Sequence, residues 1–245
     1  MAWHAKPSGG YNAYSVAGID NIFEINNNLQ SFNIAAISGI IGNIMAESGL
    51  NPWRWQGDMY GTSRGYGLFQ FTPASGYINL TGATPNLSVN SQTTGATPED
   101  GIRQITAFKT NELGKWVDRC WRKYWNDNGE WSGNPLYPEL WAYRTEVLNT
   151  YGHGSGISIP EFSDVTDITA ATFIFLACFE GPAVPNLTAR VSNANTAYEI
   201  ITGQTPPTPP VPPPDPPIPP DPPTPSQLPI WLLAKIREEN FKRRL

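Results

Sequence analysis

Asn33-Ile34-Ala35-Ala36-Ile37-Ser38-Gly39-Ile40-Ile41-Gly42-Asn43-Ile44-Met45-Ala46-Glu47-Ser48 is the stretch on which the fold turns. Ile37, Ile40, Ile41 and Ile44 recur at i, i+3, i+4 and i+7, the spacing of one helix face. Asn33 is placed to cap this helix, and Gly49 followed by Asn51-Pro52 stops it. Gly39 and Gly42 each weaken intrinsic helicity by up to about 1 kcal/mol, so close packing against another element is the expected compensation and the helix is expected to be central. Counting on from Ile37, Ile40 and Ile44, Glu47 continues the same stripe. A carboxyl so placed faces inward or into a cleft. Burial disfavours its charged form and raises its pKa, which suits a general acid. The alternative is a glutamate at a helix end that turns to water or holds a backbone amine.

Outward from this helix, residues 20–30 read as a second one, capped by Asp20, with Ile22, Ile25 and Leu29 on one side. After Glu47 the chain loses helical period. Trp53, Trp55, Tyr60, Tyr66, Phe69 and Phe71 alternate there with Asn51, Arg54, Gln56, Asp58 and Gln70, and an irregular strand or hairpin is expected. Flat rings beside amides and carboxylates suit sugars, whose faces are apolar and whose edges are polar; the same composition also suits an ordinary core. Residues 81–98 read as a loop, 99–116 as a helix, and about 121–160 as an aromatic, glycine-rich insertion whose Trp121, Trp125, Trp131, Trp141 and Tyr143 either pack it or widen a binding surface. Thr166-Asp167 cap an apolar helix over 168–180, ended by Pro182 and Pro185, and a last helix covers 187–201.

The proline distribution divides the remainder of the chain. Fourteen of the 25 prolines fall in residues 205–225. That segment should be a polyproline II spacer of roughly 65 Å, at about 3.1 Å per residue. Residues 226–245 carry five basic and two acidic side chains and are expected to form a short amphipathic helix. The reading is therefore an irregular arm over 1–20, one catalytic domain over 21–204, a linker and a basic terminal helix. Up to Gln204 the chain has 11 Lys and Arg against 17 Asp and Glu, which argues against nucleic acid as a partner. No apolar run approaches the roughly 18 residues of a membrane span, and the first residues lack the pattern of a signal peptide. Cys120 and Cys178 are expected as free, buried thiols, and His4 with His153 cannot supply a paired-histidine zinc site.

Three ordered motifs carry a resemblance. They are the stretch from Gly39 to Pro52, with Ala46-Glu47-Ser48-Gly49-Leu50-Asn51-Pro52 at its end; Gly65-Tyr66-Gly67-Leu68-Phe69-Gln70-Phe71-Thr72-Pro73-Ala74-Ser75; and Phe173-Ile174-Phe175-Leu176-Ala177-Cys178-Phe179-Glu180-Gly181-Pro182-Ala183. Together they resemble the phage tail lysozyme domain, especially in tail-tip cell-wall hydrolases of short-tailed phages. The similarity covers about residues 21–201 and includes Arg190, Ala194 and Tyr198. The first two motifs are distantly similar to goose-type lysozymes and lytic transglycosylases. The resemblance implies a mainly α (α+β) fold: a lysozyme-like helical domain with a small irregular β region beside the catalytic helix.

The resemblance also implies bacterial peptidoglycan as substrate, no cofactor and no metal. It makes Glu47 the catalytic acid and Ser48 a residue that orients it or the sugar. Gly67, Phe69 and Gln70 would form a cleft wall, with Trp53, Trp55 and Tyr66 also binding substrate, and Gly65 and Gly67 letting backbone approach the glycan. Asp58 and Glu180 are the alternatives for a second carboxylate, and Glu180 also fits a structural tie at a helix end. The place of action implied is a virion tail or the host wall after release, with tail proteins or envelope as further partners of the terminal helix. Hydrolysis and transglycosylation both stay open. So do an inactive glycan-binding tail component and a thiol enzyme built on Cys120 or Cys178 with His153.

Overall fold

A computed structural model describes residues 3–6, 8–82, 98–112, 138–152, 157–180, 182 and 185–205. Cys120, Trp121, Trp125, Trp131, His153, most of the loop expected after residue 82, the proline segment beyond Thr205 and the basic terminal helix lie outside the described residues.

The fold is mainly helical. Helix α1 spans Val16–Asn28, α2 Ile34–Glu47, α3 Ala74–Thr81, α4 Pro98–Ala107, α5 Pro138–Tyr151, α6 Ile159–Ser163, α7 Ile168–Phe175 and α8 Leu187–Thr202. Helix α4 runs into a π turn over Phe108–Glu112, and α7 into another over Leu176–Glu180. The β region is slight: Trp55 bridges Tyr66 and Tyr66 bridges Phe71, both antiparallel.

Helix α2 is the axis. Every residue from Ala35 to Ile44 is buried, as expected of a helix that is apolar nearly all round. Asn33 caps it, its side chain accepting from the Ala35 amide at 2.9 Å. At the other end Gly49 and Leu50 both take positive φ, 60° and 64°, and turn the chain sharply. Helices α7 and α8 pack along α2, and its two glycines mark where. A Cβ on Gly39 would lie 2.7 Å from the Ala171 carbonyl carbon, and one on Gly42 2.6 Å from the Arg190 carbonyl oxygen. The loss in helix propensity is offset by backbones that approach this closely.

Several boundaries differ from the sequence reading. Helix α1 starts four residues before Asp20, because Ser15 is the cap: its Oγ accepts from the Gly18 amide at 3.1 Å and donates to the Asn12 carbonyl at 2.6 Å. Asp20 instead faces His4 Nε2 at 2.8 Å. Helix α3 occupies positions read as loop and strand, since glycine and threonine there mask its short inward face, Ala74 and Tyr77. Part of the expected insertion is ordinary core: α5 buries Leu140, Tyr143 and Val147, with the Tyr143 ring 5.0 Å from that of Phe173. Cys178 is disulfide-bonded, which corrects the free thiol expected there. Among the described residues no helix is long and apolar enough to cross a membrane.

The arm before α1 grips the end of α2. Asn51, fully buried, donates to the carbonyls of Lys6 and Gly9, both at 2.8 Å, and accepts from the Lys6 and Trp53 amides. Asn21 does the same for His4, accepting from its amide at 2.8 Å, donating to its carbonyl, and donating also to that of Leu50. Tyr11 N–H donates to the Gly49 carbonyl at 2.7 Å.

The packing at Gly42 gives a direct test. Gly42→Ala should lower stability by about 1–3 kcal/mol, because overpacking outweighs the propensity gain. A drop in Tm of several degrees would show it; an unchanged or higher Tm would mean the helices part at no cost.

Candidate active site

Glu47 is the last residue of α2. Its side chain is 22% exposed and Oε1 accepts from Arg190 Nη2 at 2.6 Å, while Arg190 itself is only 7% exposed. That guanidinium is anchored elsewhere too. Nη1 donates to Asn43 Oδ1 at 2.9 Å and Nε to the Pro185 carbonyl at 3.1 Å. Asn43 completes its own inventory by donating to the Gly39 carbonyl at 2.9 Å and the Thr172 carbonyl at 3.1 Å. A buried arginine bonded at three nitrogens is a rigid fork.

Glu180, at the end of the π turn after α7, lies near enough to feel the charges of both Glu47 and Arg190. Its Oε1 is shielded from solvent and has no hydrogen-bond partner. Burial holds this carboxyl well above the usual range, and the Glu47 charge adds to the effect while Arg190 partly opposes it. The position of Glu180 is set by aromatic packing. Phe179 beside it meets Phe69 at 5.6 Å, Phe108 at 5.2 Å and Phe175 at 4.9 Å between ring centres. The Gly67–Gln70 loop and the π turn are thereby pinned together, and the second and third sequence motifs adjoin.

The other sequence-derived positions serve mainly to build this frame. Ser48 is fully buried and its hydroxyl donates to the Ile44 carbonyl at 3.1 Å, closing the helix end. Trp53, Trp55, Tyr66 and Phe69 are buried. Trp55 packs on Tyr66 at 4.5 Å, and Phe69 stacks on Phe108 at 4.9 Å, so these rings face one another rather than solvent. Gly67, at φ 81°, leaves room that the Gln104 amide fills, and the space by Gly65 is taken by Gln70 and Thr72. Gln70 donates to the Arg54 and Gly67 carbonyls, both at 3.0 Å, and holds its own loop shut. Asp58 accepts from the Gly9 amide at 2.8 Å and faces Arg54 Nε at 3.4 Å, tying the arm down. Within the stretch from Trp53 to Phe71, Tyr60 is the exposed ring, 42% open, with its edge against Trp55.

Arg190, Asn43 and Gln104 had no assigned role in the sequence reading. Gln104 accepts from the Leu68 amide and donates to the Pro52 carbonyl, each at 2.7 Å. For Arg190 a signal existed: Leu187, Arg190, Val191, Ala194 and Ala197 form the inward stripe of α8, the same pattern that singles out Glu47. Asn43 stands one turn before Glu47 on α2. Cys178, being disulfide-bonded, is not a nucleophile in this state. Among the described residues no three His, Cys, Asp or Glu come together to hold a metal ion.

The buried carboxyl at Glu180 has a stability consequence. Its folded-state pKa lies above the unfolded value, so the neutral form is accommodated at low pH and folding loses stability as pH rises beyond the ordinary glutamate range, near 4.3. Glu180→Gln, a neutral isostere, should match the wild-type Tm below about pH 4 and exceed it increasingly at higher pH. A Tm difference independent of pH would contradict this.

The chain is similar to morphogenesis protein 1 of Bacillus phage B103, with 29% identity over 173 residues, covering 69% of this chain. It spans 35% of that protein's length. The family model for phage tail lysozyme matches residues 21–201, from within α1 almost to the end of α8. The chain belongs to the phage tail lysozyme family.

Proposed function

We propose that this protein cleaves the glycan strands of bacterial peptidoglycan at the β-1,4 bond between N-acetylmuramic acid and N-acetylglucosamine, with Glu47 delivering the proton to the leaving oxygen. A phage would use it on the host wall, from the virion tail or during lysis. Family membership supports the substrate class. The observation that carries the chemistry is the partly exposed Glu47 carboxyl at the end of a buried helix, fixed by Arg190 and accompanied by Glu180.

Glycoside cleavage needs an acid for the leaving oxygen and stabilisation of an oxocarbenium-like state. Glu47, the carboxyl in this cluster with a rigidly placed oxygen and an open side, is the group that meets the glycan. Tyr60 offers a ring face for a pyranose, in the role first assigned to its buried neighbours.

One observation favours a second outcome on the same site. An inverting or retaining hydrolase wants a second ionised carboxylate at a defined distance, yet Glu180 favours its neutral form and Asp58 is engaged with Gly9 and Arg54. Attack by the muramic 6-hydroxyl, as in a lytic transglycosylase, needs no such group.

Purified protein should release muropeptide fragments from cell walls, and Glu47→Gln should slow release by about 10²–10⁴-fold with the fold and wall binding kept. Mass spectrometry then separates the two outcomes, reducing muramic ends marking hydrolysis and 1,6-anhydro ends transglycosylation. Intact glycan with cut peptides would overturn the glycosidase assignment, and full activity in Glu47→Gln would overturn the role of Glu47.

A further inference from the structure

The turn at Gln56–Asp58 gathers positive charge from two separate parts of the chain. Arg54 Nε faces Asp58 Oδ1 at 3.4 Å. Arg64 Nη1 donates to the Gln56 carbonyl at 3.3 Å and lies 3.5 Å from where a Gly57 Cβ would stand. The third cation comes from the arm before α1. Gly9 N–H donates to the same Asp58 oxygen at 2.8 Å, and the Lys6 side chain folds back over Gly9. Its Nζ is 3.9 Å from a Cβ built on Gly9 and 4.6 Å from the centre of the Tyr11 ring. Three cations thus surround one carboxylate, although the chain up to Gln204 carries 11 Lys and Arg against 17 Asp and Glu.

The tie between arm and loop uses only part of this charge, because Asp58 closes it through the Gly9 amide and Arg54. Lys6 Nζ has no carboxylate partner among the described residues, and resting on a ring fixes its place without neutralising it. Arg64 is held by a backbone carbonyl and not by an acid. Like charges gathered around a single acid repel one another, and a ligand that brings the missing negative charge offsets that cost. One edge of this surface carries Met59, 52% exposed, and Tyr60. The other edge meets the end of α2: Gly10 packs backbone to backbone on Gly49, two residues beyond Glu47, and Tyr11 N–H donates to the Gly49 carbonyl at 2.7 Å.

We propose that this arm-and-loop surface is a carboxylate-binding site, and that its ligand is the peptide carried on the muramic acid of a glycan strand. The inference rests on peptidoglycan being the substrate. That peptide hangs from the same sugar whose glycosidic bond is cut, so a carboxylate site beside the helix end that bears Glu47 seats the strand by its branch. Phosphate polymers of the wall offer anions too, but they do not accompany each muramic residue along the strand. Lys6 and Arg64 supply the attraction, and Arg54 holds the turn through Asp58. The site acts on binding and takes no part in bond cleavage.

The test is a titration of the full chain carrying Glu47→Gln, which leaves the ligand uncut. The probes are labelled, uncross-linked glycan chains bearing their peptides and free of phosphate polymers, the same chains stripped of peptide by an amidase, and a purified polyglycerol phosphate. Adding Lys6→Gln and Arg64→Gln together should weaken binding of the peptide-bearing chains by about fivefold or more at low salt, the scale of two exposed ion pairs. Stripped chains should lose less than about twofold, and the difference should close as salt approaches about 0.5 M. Arg64→Gln alone, which leaves the arm untouched, should show part of the loss, and Lys6→Arg with Arg64→Lys should restore it. Lys109→Gln removes an equal charge outside this surface, where Nζ donates to the Asn28 carbonyl, and should leave binding of the peptide-bearing chains within about twofold.

Equal losses on peptide-bearing and stripped chains would overturn the proposal, as would a Lys109→Gln effect as large as that of the double variant. Tighter binding of the phosphate polymer than of peptide-bearing chains, lost in the double variant, would assign the surface to phosphate instead. Binding of glycan chains that the double variant leaves unchanged sinks this inference alone. No binding to either kind of chain sinks the peptidoglycan reading and this inference with it.

Discussion

The approach of α8 to α2 at Gly42 is the constraint on which the site depends. With no side chain on Gly42, the α8 backbone at Arg190 comes within van der Waals reach of α2. From that point the guanidinium has only one helical turn to span, so it meets Asn43 and then Glu47 on the same face. A bulkier residue at position 42 would push the two helices apart and lengthen those bonds. The buried arginine then stabilises the junction that brought it there. Its three bonds cross-link the end of α2, the start of α8 and, through Asn43 and Thr172, the middle of α7. Packing and electrostatics are therefore the same structure seen at two scales.

The central helix was legible because its signals are local. Asn33, the isoleucine stripe and the Gly49 stop each act within a few residues, and the caps at Asn33 and Asp167 appear where the side chains call for them. The place of Glu47 on the stripe was legible for the same reason. What stayed hidden depends on partners distant in sequence. Composition says that Trp55, Tyr66 and Phe69 have neighbours, but not whether those are protein rings or a sugar; here they are Tyr60, Tyr77, Phe71, Phe108 and Phe179. Asp58 reads as a free carboxylate until the arm arrives at it from Gly9. Arg190 lies on an inward stripe that could be counted, yet nothing local tells which acid it serves.

The arm shows how composition can mislead about order. Residues rich in Gly, Ser, Asn and Tyr read as irregular, and they are irregular in backbone path, but Asn51 and Asn21 supply them with side-chain bonds where a sheet would supply backbone ones. Asparagine suits this because one amide can both donate and accept along an extended strand. Gly10 and Gly49 meet backbone to backbone, so the arm lies flat against the turn that ends α2.

The Glu47–Arg190 bond joins residues 143 positions apart. Closing a loop of that length comes late, because its entropic cost is met only when the intervening helices are already packed. Local elements such as α2 can form early, but α8 and the Asn43 amide have to arrive together before Glu47 stands against its cation. The Glu47–Arg190 pair is therefore a readout of completed folding. A nascent or partly unfolded chain would have the helix that bears Glu47 and still lack its cation, so the pair would exist only in molecules in which α8 has docked.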